Sequence, residues 1–183
     1  MSNVTLVIII VVAVVIVAAL VAFFVSRGRR AQQERQERAR EQFGPEYERT
    51  VQERGSERQA EKELRKRRER LEDEVQPLSE ESRKRYEERW LGVERTFVDD
   101  PWASLEEADR VVADILAERN FPTDSRQEAS RGVGVMHPQV VEDFREAQRV
   151  HRDATGSEGE AELEEMRRAI QMYRSVYERL TGD

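Results

Sequence analysis

Two histidines, His137 and His151, are the only imidazoles in this 183-residue chain, and they are the first side chains to weigh for acid-base work or metal binding. His137 sits in a loop before Pro138, and His151 falls on the apolar face of a helical repeat. A metal centre needs three or four converging ligands, and the carboxylates around both imidazoles follow no ligand spacing. Cysteine is absent, which removes thiolate ligands, cysteine nucleophiles and disulfides. Gly132-Val133-Gly134 lacks the third glycine, the preceding strand and the following helix of a dinucleotide loop. Gly156-Ser157-Glu158-Gly159 lacks the spacing of a nucleophile elbow. The expectation is a chain with no catalytic residue, no metal and no cofactor, and so not an enzyme.

The aromatic residues carry a stronger signal, because indole and phenol rings dominate both helical cores and binding hot spots. Trp90, Trp102, Tyr173 and Tyr177, with His151, form the candidate interaction set, and Phe121 belongs with them. Trp102, beside Pro101 at a helix start, reads as an exposed anchor, while Tyr173 and Tyr177 are placed to line a groove between helices.

Positioning these residues requires helices, and the distal periodicity supplies them. Ser79 followed by Glu80 and Glu81 starts one, in which Tyr86, Trp90, Val93 and Phe97 share a face. Asp100 as N-cap and Pro101 at the first position start the next, with Leu105, Ala108, Val112 and Ile115 inward. Residues 122–138 read as an irregular crossing around a short helix from Asp124 to Arg131. A third packed helix is expected from Pro138 to about Asp153, then a turn over 155–159. Leu163, Met166, Ile170, Tyr173, Tyr177 and Leu180, at spacings of three and four, mark the last helix. No strand-like alternation competes, so the fold class is all-α, with a bundle of about four helices over 77–183.

Upstream, Val4 to Val25 is 22 residues without a charge, with Thr5 the only polar side chain. At about 1.5 Å per residue that helix is about 33 Å long, against a hydrocarbon core of about 30 Å. The apolar run is too long, and its start too poor in Lys and Arg, for a cleaved signal peptide, so 1–27 reads as a transmembrane signal anchor. Arginines follow the span and none precedes it, which puts the amino terminus outside and the remainder in the cytoplasm at the plasma membrane. Arg27, Arg29 and Arg30 are placed to contact anionic headgroups.

Residues 28–76 read as a charged helical juxtamembrane stalk. Phe43-Gly44-Pro45 breaks it, and a second charged helix runs from about Pro45 to Val75 with an interruption at Gly55-Ser56. Arg65-Lys66-Arg67-Arg68-Glu69-Arg70 has the composition of a nucleic-acid or lipid patch, but many carboxylates surround it, which favours a solvated helix face. Residues 26–70 carry 15 Lys+Arg against 10 Asp+Glu, and 71–183 carry 16 against 28. An acidic distal domain lacks the basic footprint that nucleic acid requires.

Several segments, Phe43-Gly44-Pro45-Glu46-Tyr47, Arg95 to Pro101, Phe121-Pro122-Thr123-Asp124, His137-Pro138 and Met172-Tyr173-Arg174, give the chain a likeness. It resembles an uncharacterised family of small membrane-anchored helical proteins of high-GC actinobacteria. The resemblance implies an arrangement and a lineage without an activity. Three functions follow as expectations. The first is a non-enzymatic, cytoplasm-facing interaction module with a lipid bilayer and a protein partner. The second is a membrane-tethered enzyme or small-ligand-binding domain, its ligand near His151 and Tyr173. The third is a structural stalk that forms a homo-oligomer through Leu163, Met166, Ile170, Tyr173, Tyr177 and Leu180.

Overall fold

The computed structural model describes residues 33–154 and 159–182, and every regular element among them is a helix, in keeping with an all-α chain. The expected span and the headgroup arginines Arg27, Arg29 and Arg30 lie outside the described residues, as does most of the turn expected over 155–159. Among the described residues no helix is long and apolar enough to cross a membrane. The chain divides into two compact units, Met1–Glu41 and Gln42–Asp183. In the first, residues 33–41 are helical, and Arg38 Nε donates to the backbone carbonyl of Glu34 at 3.1 Å.

The second unit begins at Gln42, where the charge pattern suggests a boundary after residue 76. Helices α1 (Pro45–Arg54) and α2 (Glu57–Glu74) form a hairpin over Gly55, and both pack on α5 (Arg126–Met136). This stretch, read from the sequence as a charged helical stalk, also buries a face. Its apolar residues are few, yet they share one face: Phe43, Tyr47, Ala60, Leu64 and Leu71 are each buried. A sparse stripe is enough when each member is fully covered, since each large apolar side chain removed from water contributes about 1.5–3 kcal/mol. Arg131 clamps the hairpin from α5, donating to both carboxylate oxygens of Glu53 at 3.1 and 3.0 Å.

Gly44 enters the hairpin at φ +50°, and a Cβ there would lie 3.1 Å from Cβ of Pro138. Both the left-handed backbone and the close approach demand glycine. Gly44→Ala is therefore expected to cost about 1–2 kcal/mol, seen as a lower urea midpoint, because a side chain at positive φ is strained whatever its size. An unchanged midpoint would show that the turn relaxes freely.

Helices α3 (Glu80–Thr96), α4 (Pro101–Glu118), α6 (Val141–Asp153) and α7 (Glu160–Thr181) build the bundle. Its inner members are α4 and α7; α3 lies on α4, and α6 lies on α7 and α4. The caps fall where the residue types place them: Ser79 Oγ accepts from the Ser82 amide at 3.0 Å, and the Asp100 carboxylate from the Ala103 amide at 2.9 Å. Leu105, Val112 and Ile115 of α4 meet Met166, Tyr173 and Leu180 of α7 in the core.

The 122–138 crossing is more regular than its glycines suggest, because α5 continues through Gly132 and Gly134 to Met136. Both glycines serve close approach and not helix breaking. A Cβ on Gly132 would meet Phe121 at 3.2 Å, and one on Gly134 would meet the carboxylate of Glu46 at 2.9 Å. Pro138 does not open α6, which starts at Val141; it seats against Gly44 instead.

Candidate functional site

The candidate interaction residues separate into two places. Trp90 and Tyr177 belong to the first, a groove between α3 and α7. Both helices pack on α4, which leaves their outer flanks apart, and the Trp90 and Tyr177 rings stack across that gap with centroids 4.7 Å apart and planes 14° from parallel. Arg174 Nη1 donates to Glu94 at 2.7 Å, and Trp90 Nε1 to the same oxygen at 3.3 Å, so one bridge divides the groove. On one side lies a cavity of about 320 Å³ bounded by Arg83, Leu91 and Tyr177; on the other, one of about 270 Å³ bounded by Phe97, Arg167 and Ile170. Leu91 is 48% exposed on the rim. Burial first, and then the negative charge of Glu87, raise the phenol of Tyr177, keeping it a neutral hydrogen-bonding group.

Tyr173, His151 and Trp102 converge on the second place, a polar hub around Asp109 of α4. The Tyr173 hydroxyl donates to Asp109 at 2.6 Å, and Arg126, at the start of α5, donates to its second oxygen at 3.0 Å. His151 Nδ1 approaches the same carboxylate at 3.6 Å, beyond hydrogen-bond range, and has no hydrogen-bond partner among the described residues. Trp102 stacks on the His151 ring at 5.7 Å and packs against the core, so it is half-buried where its position at a helix start suggested an exposed anchor. A cavity of about 160 Å³ borders Asp109, Arg126, Thr123 and Gln148. Burial, then the Asp109 charge, push the Tyr173 phenol far above its ordinary range.

His137 is buried as the residue capping α5, and its Nδ1 accepts from Arg179 Nε at 3.2 Å. Of the proposed self-association stripe, Met166, Tyr173 and Leu180 are in the core of this unit; Leu163, Ile170 and Tyr177 keep partial exposure. Sequence reasoning missed Asp109, Arg126, Glu94 and Arg174. Asp109 had a signal: four after Leu105 and three before Val112, it falls in register with the apolar stripe of α4, where a carboxylate needs a partner. Among the described residues no three His, Asp or Glu side chains are grouped to hold a metal ion. No family model matches the chain, and neither a curated protein nor a solved structure matches it.

Proposed function

We propose that this chain is a single-pass protein of the plasma membrane, its amino terminus outside, whose helical domain faces the cytoplasm as a non-enzymatic module for binding a protein partner. The uncharged stretch Val4 to Val25 and the arginines that follow it support the anchor and its direction. The resemblance to membrane-anchored actinobacterial proteins belongs to the same reading. Tethering would turn capture of the partner into a local event at the inner leaflet. The observation that carries the interaction role is the α3–α7 groove, where the Tyr177 ring stacked on Trp90 and the exposed Leu91 lie among charged side chains that include the Arg174–Glu94 bridge.

A photo-crosslinking residue at Glu87, an exposed position lining the same cavity as Leu91, in the full chain in cells tests this. One predominant adduct is expected there, and Leu91→Glu should lower its recovery at least about tenfold, since a central apolar contact is worth about 2 kcal/mol or more. An exposed position tolerates that change within about 0.5 kcal/mol of stability, so the loss would report binding and not unfolding. Adducts identical to those from Glu165, on the opposite side of α7, would refute the groove.

A second reading, a small-ligand domain, is favoured by one observation: the cavity bordered by Arg126 and Asp109, a carboxylate 3.6 Å from an imidazole nitrogen that has no hydrogen-bond partner among the described residues. A small polar ligand binding there at about a hundred times its Kd would stabilise the fold by about 2.7 kcal/mol. A flat thermal response across a panel of small polar metabolites would remove this reading.

A further inference from the structure

The outer face of α2 carries a charge pattern that the packing of the fold does not use. Ala60, Leu64 and Leu71 turn one side of the helix inward. On the opposite side Arg58, Lys62 and Lys66 follow at intervals of four with Arg65 beside them, and all four are exposed. Most arginines of this unit are engaged by carboxylates, as Arg89 is by Glu107 and Asp114. Arg65 pairs with Glu61, but Arg58, Lys62 and Lys66 have no carboxylate partner among the described residues. Glu69 and Asp73 continue the same face, so the cationic stretch covers only the first half of the helix.

We propose that this stripe binds the anionic headgroups of the membrane that holds the chain, an inference that rests on the anchor proposed above. The chemistry is a row of flexible cations whose stems reach sideways to lipid phosphates and carboxylates. Each such charge near an anionic leaflet raises surface partition about fivefold, so the three unpaired cations together supply about a hundredfold. For a stripe on the same chain as the span, that contact is an intramolecular event. Residues 71–183, with 28 acidic against 16 basic side chains, are repelled by the same surface, so the outer face of α2 is the side of the unit that an anionic leaflet attracts. The stripe therefore selects which way the domain turns over the lipid.

The cysteine-free sequence permits a clean test on the full chain. Gln59→Cys, on the exposed flank of the stripe, is labelled with a fluorophore and the chain is reconstituted in nanodiscs of phosphatidylcholine, with or without phosphatidylserine, containing a headgroup-attached quencher. Quenching should rise several-fold in the anionic discs, fall when salt reaches about 1 M, where the Debye length is about 3 Å, and be lost in Lys62→Glu/Lys66→Glu. Quenching indifferent to disc composition, or unchanged in the double variant, overturns the proposal, as does charge-dependent binding of single-stranded RNA without any lipid response. A chain that never enters the discs overturns the anchor and this proposal together, whereas a chain inserted but blind to lipid charge overturns this proposal alone.

Discussion

Arg145→Met is expected to destabilise the chain by about 3–5 kcal/mol, because it leaves a buried carboxylate without its counter-ion. Glu46 is 1% exposed, and the hydrogen that replaces a side chain at Gly134 is what admits its carboxylate beneath α5. The guanidinium of Arg145 donates to it from α6 and holds Glu142 through its other arm at 2.8 Å. Thr50 donates to the backbone carbonyl of Glu46 at 2.8 Å, which fixes α1 but gives the carboxylate nothing. With the arginine gone, the ion must stay unsolvated or the hairpin must open. Adding Glu46→Leu to Arg145→Met should restore most of the loss, since replacing both members of a buried pair with apolar groups is close to neutral. Urea unfolding of the detergent-solubilised full chain, followed by Trp90 and Trp102 emission, separates the cases. A single variant no less stable than the double one would show that the pair is incidental. A reduced m-value in the single variant would mean that the hairpin has already left the bundle.

The bundle was legible because its helices repeat a strong pattern. Tyr86, Trp90 and Val93 of α3 and Met166, Tyr173 and Leu180 of α7 are buried at the spacing that singles them out, and Asp100-Pro101 starts α4 by a mechanism that is local to a few residues. The two helices of the hairpin and their break at Gly55-Ser56 were legible, but their packing was not. Leu64 and Leu71 are seven apart in a sea of charge, and their burial depends on α5, which lies well over 50 residues further along the chain. Glycine misled for a related reason: at Gly132 and Gly134 it answers to a neighbour's side chain and not to its own backbone, and local rules see only the backbone. Both candidate sites join residues distant in the chain, Asp109 to Tyr173 and Glu94 to Arg174, so spacing along one helix marks a member without naming its partner. Aromatic rings were picked out as a class, but whether a ring lies in a core or a groove is decided by which helices flank it. Tyr173 and Tyr177, a turn apart on α7, went different ways.

Tyr173 should make the stability of the chain fall steeply in alkali, and Tyr173→Phe should flatten that fall. The phenol is wholly buried and donates to Asp109 at 2.6 Å; burial and then the neighbouring negative charge hold it protonated far beyond the usual tyrosine range. In the unfolded chain the same group ionises near pH about 10. Its folded value is raised, so its stabilising contribution is fully present below about pH 10. It is lost above that, because only the unfolded state releases the proton. The loss is about 1.4 kcal/mol per pH unit for one protected phenol, or about 3 kcal/mol by pH 12. Tyr86 and Tyr177, raised chiefly by burial, add shallower slopes of the same sign. In Tyr173→Phe the hydrogen bond to a charged acceptor disappears at neutral pH at a cost of about 1.5–3 kcal/mol, while Arg126 still holds Asp109. The parent is therefore the more stable chain at neutral pH, and the two should converge as pH rises toward about 12. Urea midpoints for both chains across that range give the answer. Curves that stay parallel would mean that the phenol ionises in the folded protein and that the Asp109 hub is open to solvent.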